Sequence, residues 1–382
     1  MAKRAYIGVN NVARKIKKGY VGVNGVARRI KKAYIGIGGV ARPCWSSSEG
    51  LEYYGKITDL SVTRYRLAAT SVGSYALFGG GYTSSTWSAT ATVDAYNTSL
   101  TRSTPNALSE AREYLAATTV GNYALFAGGY NTSLNGTTTV DAYNTSLTRS
   151  NPSSNLSQNR YYLASATLNN YALFGGGCYD SGSSKVAVKT IDVYNTSLTR
   201  TTPCNLLEAA FDFSAATLGN YVLFGGGRSA DTTWNAAVSC INTSFTVSRA
   251  ALSAPSAGLA SISLAGLALF AGGYSNSTTT YISNVDAYDS SLTKTTLDPL
   301  TMGRRDLAAT ALIKYAIFGA GTNSGSGSST GYFDVYDTSY THTTQTVSSC
   351  SLNDAEATTI GNYAVFAGSS YTYGTPLAFT VT

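Results

Sequence analysis

The sequence predicts an all-β protein: a seven-bladed β-propeller of four-stranded blades, preceded by a small module of three short β-hairpins. The phrase YALFAGGY at residues 123–130 returns in recognisable form seven times, at intervals of 46 to 50 residues. Each unit contains four short apolar segments separated by turn residues, as a propeller blade does. A shorter motif repeats with a 14-residue period near the N-terminus, alternating apolar and polar residues around a turn signal.

Charge divides the chain into a basic head and a weakly acidic body. Only 12% of the 382 residues are charged and 43% are hydrophobic, which suits hydroxyl-rich β-structure rather than a disordered chain. Residues 1–45 hold eleven of the 27 basic residues and no acidic one, whereas the rest carry 16 basic and 20 acidic groups. We interpret residues 1–45 and 51–382 as two domains, joined by a linker at 46–50.

The head consists of three units, with tyrosines at Tyr6, Tyr20 and Tyr34. Asn-Asn, Asn-Gly and Gly-Gly dipeptides at their centres favour tight hairpin turns. Because a lone hairpin is marginal in water, we expect the three to pack together, against a partner or in a homo-oligomer such as a trimer. Docking to other proteins of a particle is favoured over nucleic-acid binding as the role of the basic residues. The docking candidates are Lys15, Lys17, Lys18, Arg28, Arg29, Lys31 and Lys32.

The body repeats one four-strand unit. In its second copy the predicted strands are LAATTV (115–120), YALFAGG (123–129), TVDAYN (139–144) and SLTRS (146–150). Paired glycines such as Gly128 and Gly129 should let neighbouring blades approach closely. Only one strand, LAFTVT at 377–382, follows the last copy of the first two strands. We therefore expect LEYYGKITDLSV at 51–62 to complete the seventh blade and close the ring.

The sequence offers little for catalysis. With one histidine, His342, it favours neither a multi-histidine metal centre nor a Ser-His-Asp triad. The five cysteines form no CxxC pair. Asp94, Asp141 and Asp286 recur once per blade and are interpreted as structural, and no convincing once-only carboxylate pair is found. We predict no catalytic residue, no metal and no cofactor.

Targeting signals are also absent from the sequence pattern. The N-terminal MAKRAYIGVNN lacks the apolar segment of a Sec-type signal peptide, so none is expected. No apolar run is long enough for a membrane span, which predicts no membrane insertion. Asn-x-Ser/Thr triplets at Asn97, Asn144, Asn195 and Asn242 recur at one turn. We interpret these asparagines as turn-stabilising residues, with glycan attachment as the alternative.

What varies between units is the composition of two sets of loops. The loops after the paired glycines and the loops that lead into the first strands should share one face of the propeller. They are rich in Tyr, Trp, Arg, Ser and Asn, a mixture typical of recognition surfaces. Packing of these aromatic residues on neighbouring loops is the alternative. The ligand-binding candidates are Trp87, Tyr130, Trp234, Tyr65, Arg66, Arg112, Tyr114, Arg160, Tyr162 and Arg305.

A double glycine after an apolar strand, followed by a tyrosine, resembles the kelch repeat. The matches are Gly79-Gly80 with Tyr96, Gly128-Gly129 with Tyr143, Gly175-Gly176 with Tyr194, Gly225-Gly226, and Gly272-Gly273 with Tyr288. The resemblance covers residues 51–382 and implies a β-propeller. The tryptophan of the kelch pattern is missing, and other residues are expected in its place in the outer strand: Leu100, Leu147, Leu198, Phe245, Leu292 and Tyr340.

The phrases YNTSLTRS (96–103) and KKAYIGIGGVARPCW (31–45) are similar to segments of tail or surface attachment proteins of Firmicutes and their phages. This resemblance implies a non-enzymatic receptor-binding or adhesion protein, located on a virion or on the outer surface of a bacterial particle. Its partners would be other virion or tail proteins, contacted through residues 1–45, and a host surface polysaccharide or protein. Two alternatives stay open: a structural or decoration protein without a ligand, and a glycan-cleaving enzyme.

Overall fold

A computed structural model describes the strands within residues 6–46, together with residues 50–381 apart from 134, 277–279, 324–329, 349, 351 and 370–374. The chain divides into two compact units, Met1–Glu52 with Thr380–Thr382, and Tyr53–Phe379. Within the described ranges, no helix has the length and apolar character needed to cross a membrane.

The N-terminal unit contains three antiparallel strand pairs, as the 14-residue repeat predicts. The pairs are Tyr6–Val9 with Val12–Lys15, Gly19–Val23 with Val26–Ile30, and Lys32–Ile37 with Val40–Ser46. Four of the predicted docking residues lie in these strands: Lys15, Arg28, Arg29 and Lys32. The other three, Lys17, Lys18 and Lys31, lie outside the described residues. Docking through this unit stays a prediction.

The described residues from Leu51 to Val381 form seven four-stranded antiparallel sheets, which confirms the predicted propeller. Blades 1 to 3 consist of Ala68–Val72, Tyr75–Gly79, Val93–Asn97 and Arg102–Ser103; Ala116–Val120, Tyr123–Ala127, Val140–Asn144 and Arg149–Ser150; and Ala164–Leu168, Tyr171–Gly175, Ile191–Asn195 and Arg200–Thr201. Blades 4 to 6 consist of Ser214–Leu218, Tyr221–Gly225, Ala237–Asn242 and Val247–Ala251; Ala260–Leu264, Leu267–Ala271, Val285–Tyr288 and Lys294–Leu297; and Ala308–Leu312, Tyr315–Gly319, Tyr332–Asp337 and His342–Thr346.

The seventh blade closes the ring with strands from both ends of the sequence. Its sheet order is Glu356–Ile360, Tyr363–Ala367, Leu377–Val381 and Leu51–Lys56. The prediction that the segment at 51–62 completes this blade is confirmed, with the strand ending at Lys56. The first strand of each blade contacts the first strands of its two neighbours, and that of blade 7 contacts that of blade 1. These first strands, here called inner strands, surround a central channel.

Glycine makes the close packing between blades possible. A Cβ atom on Gly79 would lie 2.7 Å from the ring of Phe126 in the next blade. A Cβ atom on Gly80, whose φ is +68°, would lie 2.6 Å from the carbonyl oxygen of Arg112. Both distances are shorter than van der Waals contact, so a larger residue would push the blades apart. The predicted role of the glycine pairs is confirmed.

Four blades contain a fully buried ion pair between an arginine that precedes the inner strand and the aspartate of the third strand. The pairs are Arg64–Asp94, Arg112–Asp141, Arg160–Asp192 and Arg304–Asp334, with N–O distances of 2.6 to 2.8 Å. A second basic side chain, from the outer strand, lies against each aspartate: Arg102, Arg149, Arg200 and His342, respectively. The interpretation of Asp94 and Asp141 as structural is confirmed. Asp286, the third residue of that prediction, is also buried and accepts hydrogen bonds from the N–H and the hydroxyl of Ser253 at 2.7 and 2.5 Å. His342 has the same role, since its Nε2 lies 2.7 Å from Asp334.

The turns before the outer strands confirm one prediction and correct another. Asn144 accepts hydrogen bonds from the backbone N–H groups of Ser146 and Thr148 at 3.0 and 2.9 Å, so its side chain stabilises the turn. Asn97, Asn195 and Asn242 do the same. The expectation that Leu147 and its equivalents lie in the outer strand is wrong. They occupy the turn with φ between 59° and 63°: Leu100, Leu147, Leu198, Phe245, Leu292 and Tyr340.

Small two-stranded ladders form in the loops at one end of the blades. Their strands are Tyr82–Thr83 with Ser88–Ala89, Arg112–Glu113 with Tyr130–Asn131, Cys178–Ser181 with Ser184–Ala187, Arg228–Ala230 with Thr233–Trp234, and Tyr274–Ser275 with Thr280–Tyr281. Single bridges join the loop before an inner strand to the loop after the glycines of the same blade, as between Tyr65 and Tyr82. The two variable sets of loops therefore share one face, as predicted.

Candidate functional site at the channel mouth

One position in each blade, two residues before the inner strand, lies at the mouth of the channel. All seven residues there have left-handed backbone conformations, with φ between 43° and 65°. This conformation is uncommon for residues other than glycine. We call these seven residues the mouth ring: Arg66, Tyr114, Tyr162, Asp212, Gly258, Asp306 and Asp354.

Backbone hydrogen bonds connect neighbouring members of the mouth ring. The N–H of Tyr114 donates to the carbonyl of Arg66 at 3.0 Å, and the N–H of Tyr162 donates to that of Tyr114 at 3.0 Å. Four further bonds of the same kind span 2.8 to 3.1 Å, including one from Arg66 to Asp354 across the closure between blades 7 and 1. The backbone of the mouth is thus the same in every blade, while the side chains differ.

The side of the mouth ring formed by blades 1 to 3 is aromatic and cationic. The guanidinium carbon of Arg66 lies 4.6 Å from the ring centroid of Tyr114, and the centroids of Tyr114 and Tyr162 are 3.9 Å apart. Arg66 donates a hydrogen bond to Glu113 at 3.0 Å. Burial raises the pKa of both tyrosines, so their hydroxyls stay protonated at neutral pH and can donate hydrogen bonds.

Around the mouth ring, aromatic and arginine side chains from the loops contact one another or a side chain of the ring. The Tyr65 and Tyr82 rings lie 5.7 Å apart, and the Trp234 and Tyr274 rings 6.2 Å apart. We call this set the aromatic arc: Tyr65, Tyr82, Tyr130, Tyr161, Phe211, Arg228, Trp234, Tyr274, Tyr281 and Arg305. Packing on neighbouring loops, the alternative raised from the sequence, does occur, although Tyr65, Tyr82 and Trp234 remain partly exposed.

The opposite side of the mouth ring is acidic, with Gly258 between Asp212 and Asp306. Each aspartate has an arginine nearby: Asp212–Arg228 at 3.0 Å, Asp306–Arg305 at 3.2 Å and Asp354–Arg66 at 3.6 Å. Burial and the two neighbouring aspartates nevertheless raise the pKa of Asp306 well above its usual range. Within the described residues, no His, Cys, Asp or Glu group is arranged to hold a metal ion.

The mouth ring surrounds a cavity of about 170 Å³, which is lined by all seven of its residues. A second cavity of about 230 Å³ is lined by the inner strands, whose residues there are mostly Ala, Ser and Leu. Glu356 lines both cavities. Its side chain is accessible to solvent from the channel yet enclosed by the surrounding blades, and this burial raises the pKa of Glu356 to about 7.

The structure brings most of the predicted ligand-binding residues together. Arg66, Tyr114 and Tyr162 belong to the mouth ring, and four others belong to the aromatic arc: Tyr65, Tyr130, Trp234 and Arg305. Trp87 is separate from them, with 76% of its surface exposed on a loop of blade 1. The prediction for Arg112 and Arg160 is wrong, because both are fully buried in ion pairs and cannot reach a ligand on the loop face.

Sequence reasoning missed the acidic half of the site. Asp212, Asp306 and Asp354 occupy the same alignment column as Arg66, and this column changes chemical type from blade to blade. Glu356 stands where the other six blades have alanine or serine. Both signals appear only when the seven units are aligned column by column and the departures, rather than the repeats, are followed.

The fold is similar to that of YjhT, a protein of solved structure. The superposition has a TM-score of 0.59 and covers 76% of this chain and 99% of that one, at 13% sequence identity. No protein-family model and no curated protein matches the chain. At this low identity, the likeness shows a shared β-propeller fold alone.

Proposed function

We propose that this protein is a non-enzymatic binding protein that takes a hydroxyl-rich saccharide at the channel mouth. One observation carries the proposal: seven positions with the same backbone conformation carry a cation, two phenols, three carboxylates and one glycine. A purely structural ring would not need four different residue types at equivalent positions, whereas a ligand that presents different groups to different blades would. Aromatic faces, arginine and carboxylates together supply the stacking area and directional hydrogen bonds that sugar rings require.

The biological setting that we propose is host attachment by a phage tail or a similar particle. The resemblance of YNTSLTRS and of the head repeat to attachment proteins supports it, as does the concentration of basic residues in the head. The head would dock to other proteins of the particle. Deletion of residues 1–46 should then abolish incorporation into the particle and leave a folded propeller, as judged by its melting transition. A fragment that fails to fold would contradict this division of labour.

A bacterial glycan array probed with the full-length chain tests the binding proposal. We expect saturable binding to at least one surface polysaccharide, weakened about tenfold or more by Arg66→Ala, because that change removes a charged hydrogen-bonding group. Trp87→Ala should bind like the unchanged protein. Binding lost in Trp87→Ala but retained in Arg66→Ala would place the ligand on the outer loops instead. A silent array would contradict a saccharide ligand and favour a protein receptor or a purely structural role.

The glycan-cleaving alternative has one observation in its favour. Glu356 has a pKa of about 7, which suits a general acid at neutral pH, and Asp354 lies two residues before it. Release of new reducing ends from an array glycan, abolished by Glu356→Gln with binding retained, would establish this activity in place of simple binding.

A further inference from the structure

Glu356 breaks the repeat at a position inside the channel. It is the first residue of the inner strand of blade 7. The equivalent positions of the other blades carry small side chains: Ala68, Ala116, Ala164, Ser214, Ala260 and Ala308. A carboxylate is therefore not required to build an inner strand, and the propeller geometry is compatible with alanine at this position.

The wall of the channel around Glu356 is electrically neutral. Among the described residues that line the second cavity, between the inner strands, Glu356 alone carries a charge. Of the hydroxyls that line this cavity, Ser165 donates to the carbonyl of Ala117 at 3.0 Å, and Ser214 and Ser261 bond to each other at 2.6 Å. These hydroxyls already have partners in the wall, so Glu356 is the group of the wall best suited to bind a charged molecule.

Glu356 has no cationic partner within the described part of the chain. Its carboxylate accepts the backbone N–H of Ala357, and none of the ion pairs there involves it. The carboxylate is open to the channel, but the surrounding blades limit its hydration without supplying a counter-charge, which raises its pKa. A positively charged group from outside would supply what the protein does not.

The mouth ring restricts how a ligand can reach Glu356. Glu356 follows Asp354 by two residues and is the first residue of the inner strand, so it lines both the cavity at the mouth and the cavity between the inner strands. Blades surround it on all sides, since the inner strands form a closed ring. The end of a chain can enter this closed ring directly, whereas the middle of a long chain would have to bend sharply to do so.

We propose that the channel takes the terminal unit of the saccharide end-on, and that Glu356 pairs with a positively charged amine on that unit. This inference rests on the proposed function and specifies its ligand class: chains that end in an amino sugar with a free amine. Glu356 is then a specificity-determining residue. The carboxyl groups of the mouth ring line the same cavity as Glu356 and lie on the path by which the terminal unit would enter.

Saturation-transfer NMR on the full-length protein with D-glucosamine, D-galactosamine and their N-acetyl forms tests the proposal. At least one free amino sugar should bind, and its N-acetyl form should bind about tenfold more weakly or not at all, because acetylation removes the charge. Glu356→Ala and Glu356→Gln should both lose this preference. Glu208→Ala is the matched control, since it removes an exposed carboxylate that pairs with Arg249.

The outcomes separate this inference from the proposed function. Equal binding of the acetylated sugars, or unchanged binding by Glu356→Ala, would overturn it. Failure of every monosaccharide to bind, with array binding intact and sensitive to Arg66→Ala, would overturn end-on recognition alone. If no array glycan and no monosaccharide binds, both proposals are contradicted. Melting curves show whether Glu356→Ala is folded, as expected from alanine at the equivalent positions of blades 1 and 2.

Discussion

Arg112 and Tyr114 are two residues apart, yet their alignment columns behave in opposite ways. The column of Arg112 holds a buried arginine in four blades, each paired with an aspartate of its own blade. The column of Tyr114 changes from blade to blade under a constant backbone. The first column builds the blade and the second faces the channel mouth. In this repeat, a charge that recurs with the same sign and the same kind of partner is structural, whereas the position whose charge changes sign between blades belongs to the candidate site.

The largest effect should come from breaking a buried pair. Arg112→Ala leaves Asp141 buried without its inner partner and should lower the free energy of unfolding by about 3–5 kcal/mol. Arg66→Ala, at the partly exposed mouth, should cost less than about 1 kcal/mol. Urea unfolding measures both. Equal losses in the free energy of unfolding of the two variants would contradict the assignment of one column to structure and the other to the candidate site.

Blade 4 shows how the pair can be replaced without a buried charge. It has Ala210 and Ser239 at the two positions, and Ser239 accepts the N–H of Leu207 at 3.0 Å. Placing the same residues in blade 3, as Arg160→Ala with Asp192→Ser, should destabilise less than Arg160→Ala alone. We expect a coupling free energy of about 1–3 kcal/mol in the double-mutant cycle. Additive losses would show that the arginine and aspartate act independently.

A smaller loss should follow from the turn asparagines, which repeat like the buried arginines but lie at the surface. Asn144→Ala removes an acceptor of two backbone hydrogen bonds and should cost about 1 kcal/mol. Asn144→Asp is the matched control, because Asp289 makes the same bonds in blade 5. Thermal unfolding would contradict the structural interpretation if the alanine variant were as stable as the aspartate variant.

The smallest effect is a pH dependence from Glu356. Its pKa is raised from 4.5 to about 7 by burial, so the folded state holds a proton that the unfolded state releases between these values. The stability that protonated Glu356 contributes is present below about pH 4.5 and is lost as the pH rises towards 7. Glu356→Ala should therefore gain stability relative to the unchanged protein across this window. If the free energies of unfolding of Glu356→Ala and of the unchanged protein differed by the same amount at every pH from 4 to 8, the raised pKa of Glu356 would be contradicted.

More of the architecture than of the candidate site could be predicted from the sequence. The 48-residue spacing, the glycine pairs and the Asn144 turn were sufficient to predict blades, close packing and closure, because each is a local rule repeated seven times. The spacing of residues could not show that Arg112 is buried whereas Tyr114 and Arg66 face the channel mouth. A loop has no fixed period that would indicate which of its side chains are buried. Glu356 was missed because a carboxylate at the start of a strand does not by itself indicate a site. It stands out only when compared with the six small residues at the equivalent positions of the other blades.

The most direct test of the central claim is a crystal structure of the full-length chain with the glycan selected by the array. We expect the terminal sugar to occupy the cavity inside the mouth ring, between the Tyr114–Tyr162 side and the Asp212–Asp306 side, with its amine next to Glu356. A glycan bound to the outer strands of the blades or around Trp87, with an empty mouth, would contradict it.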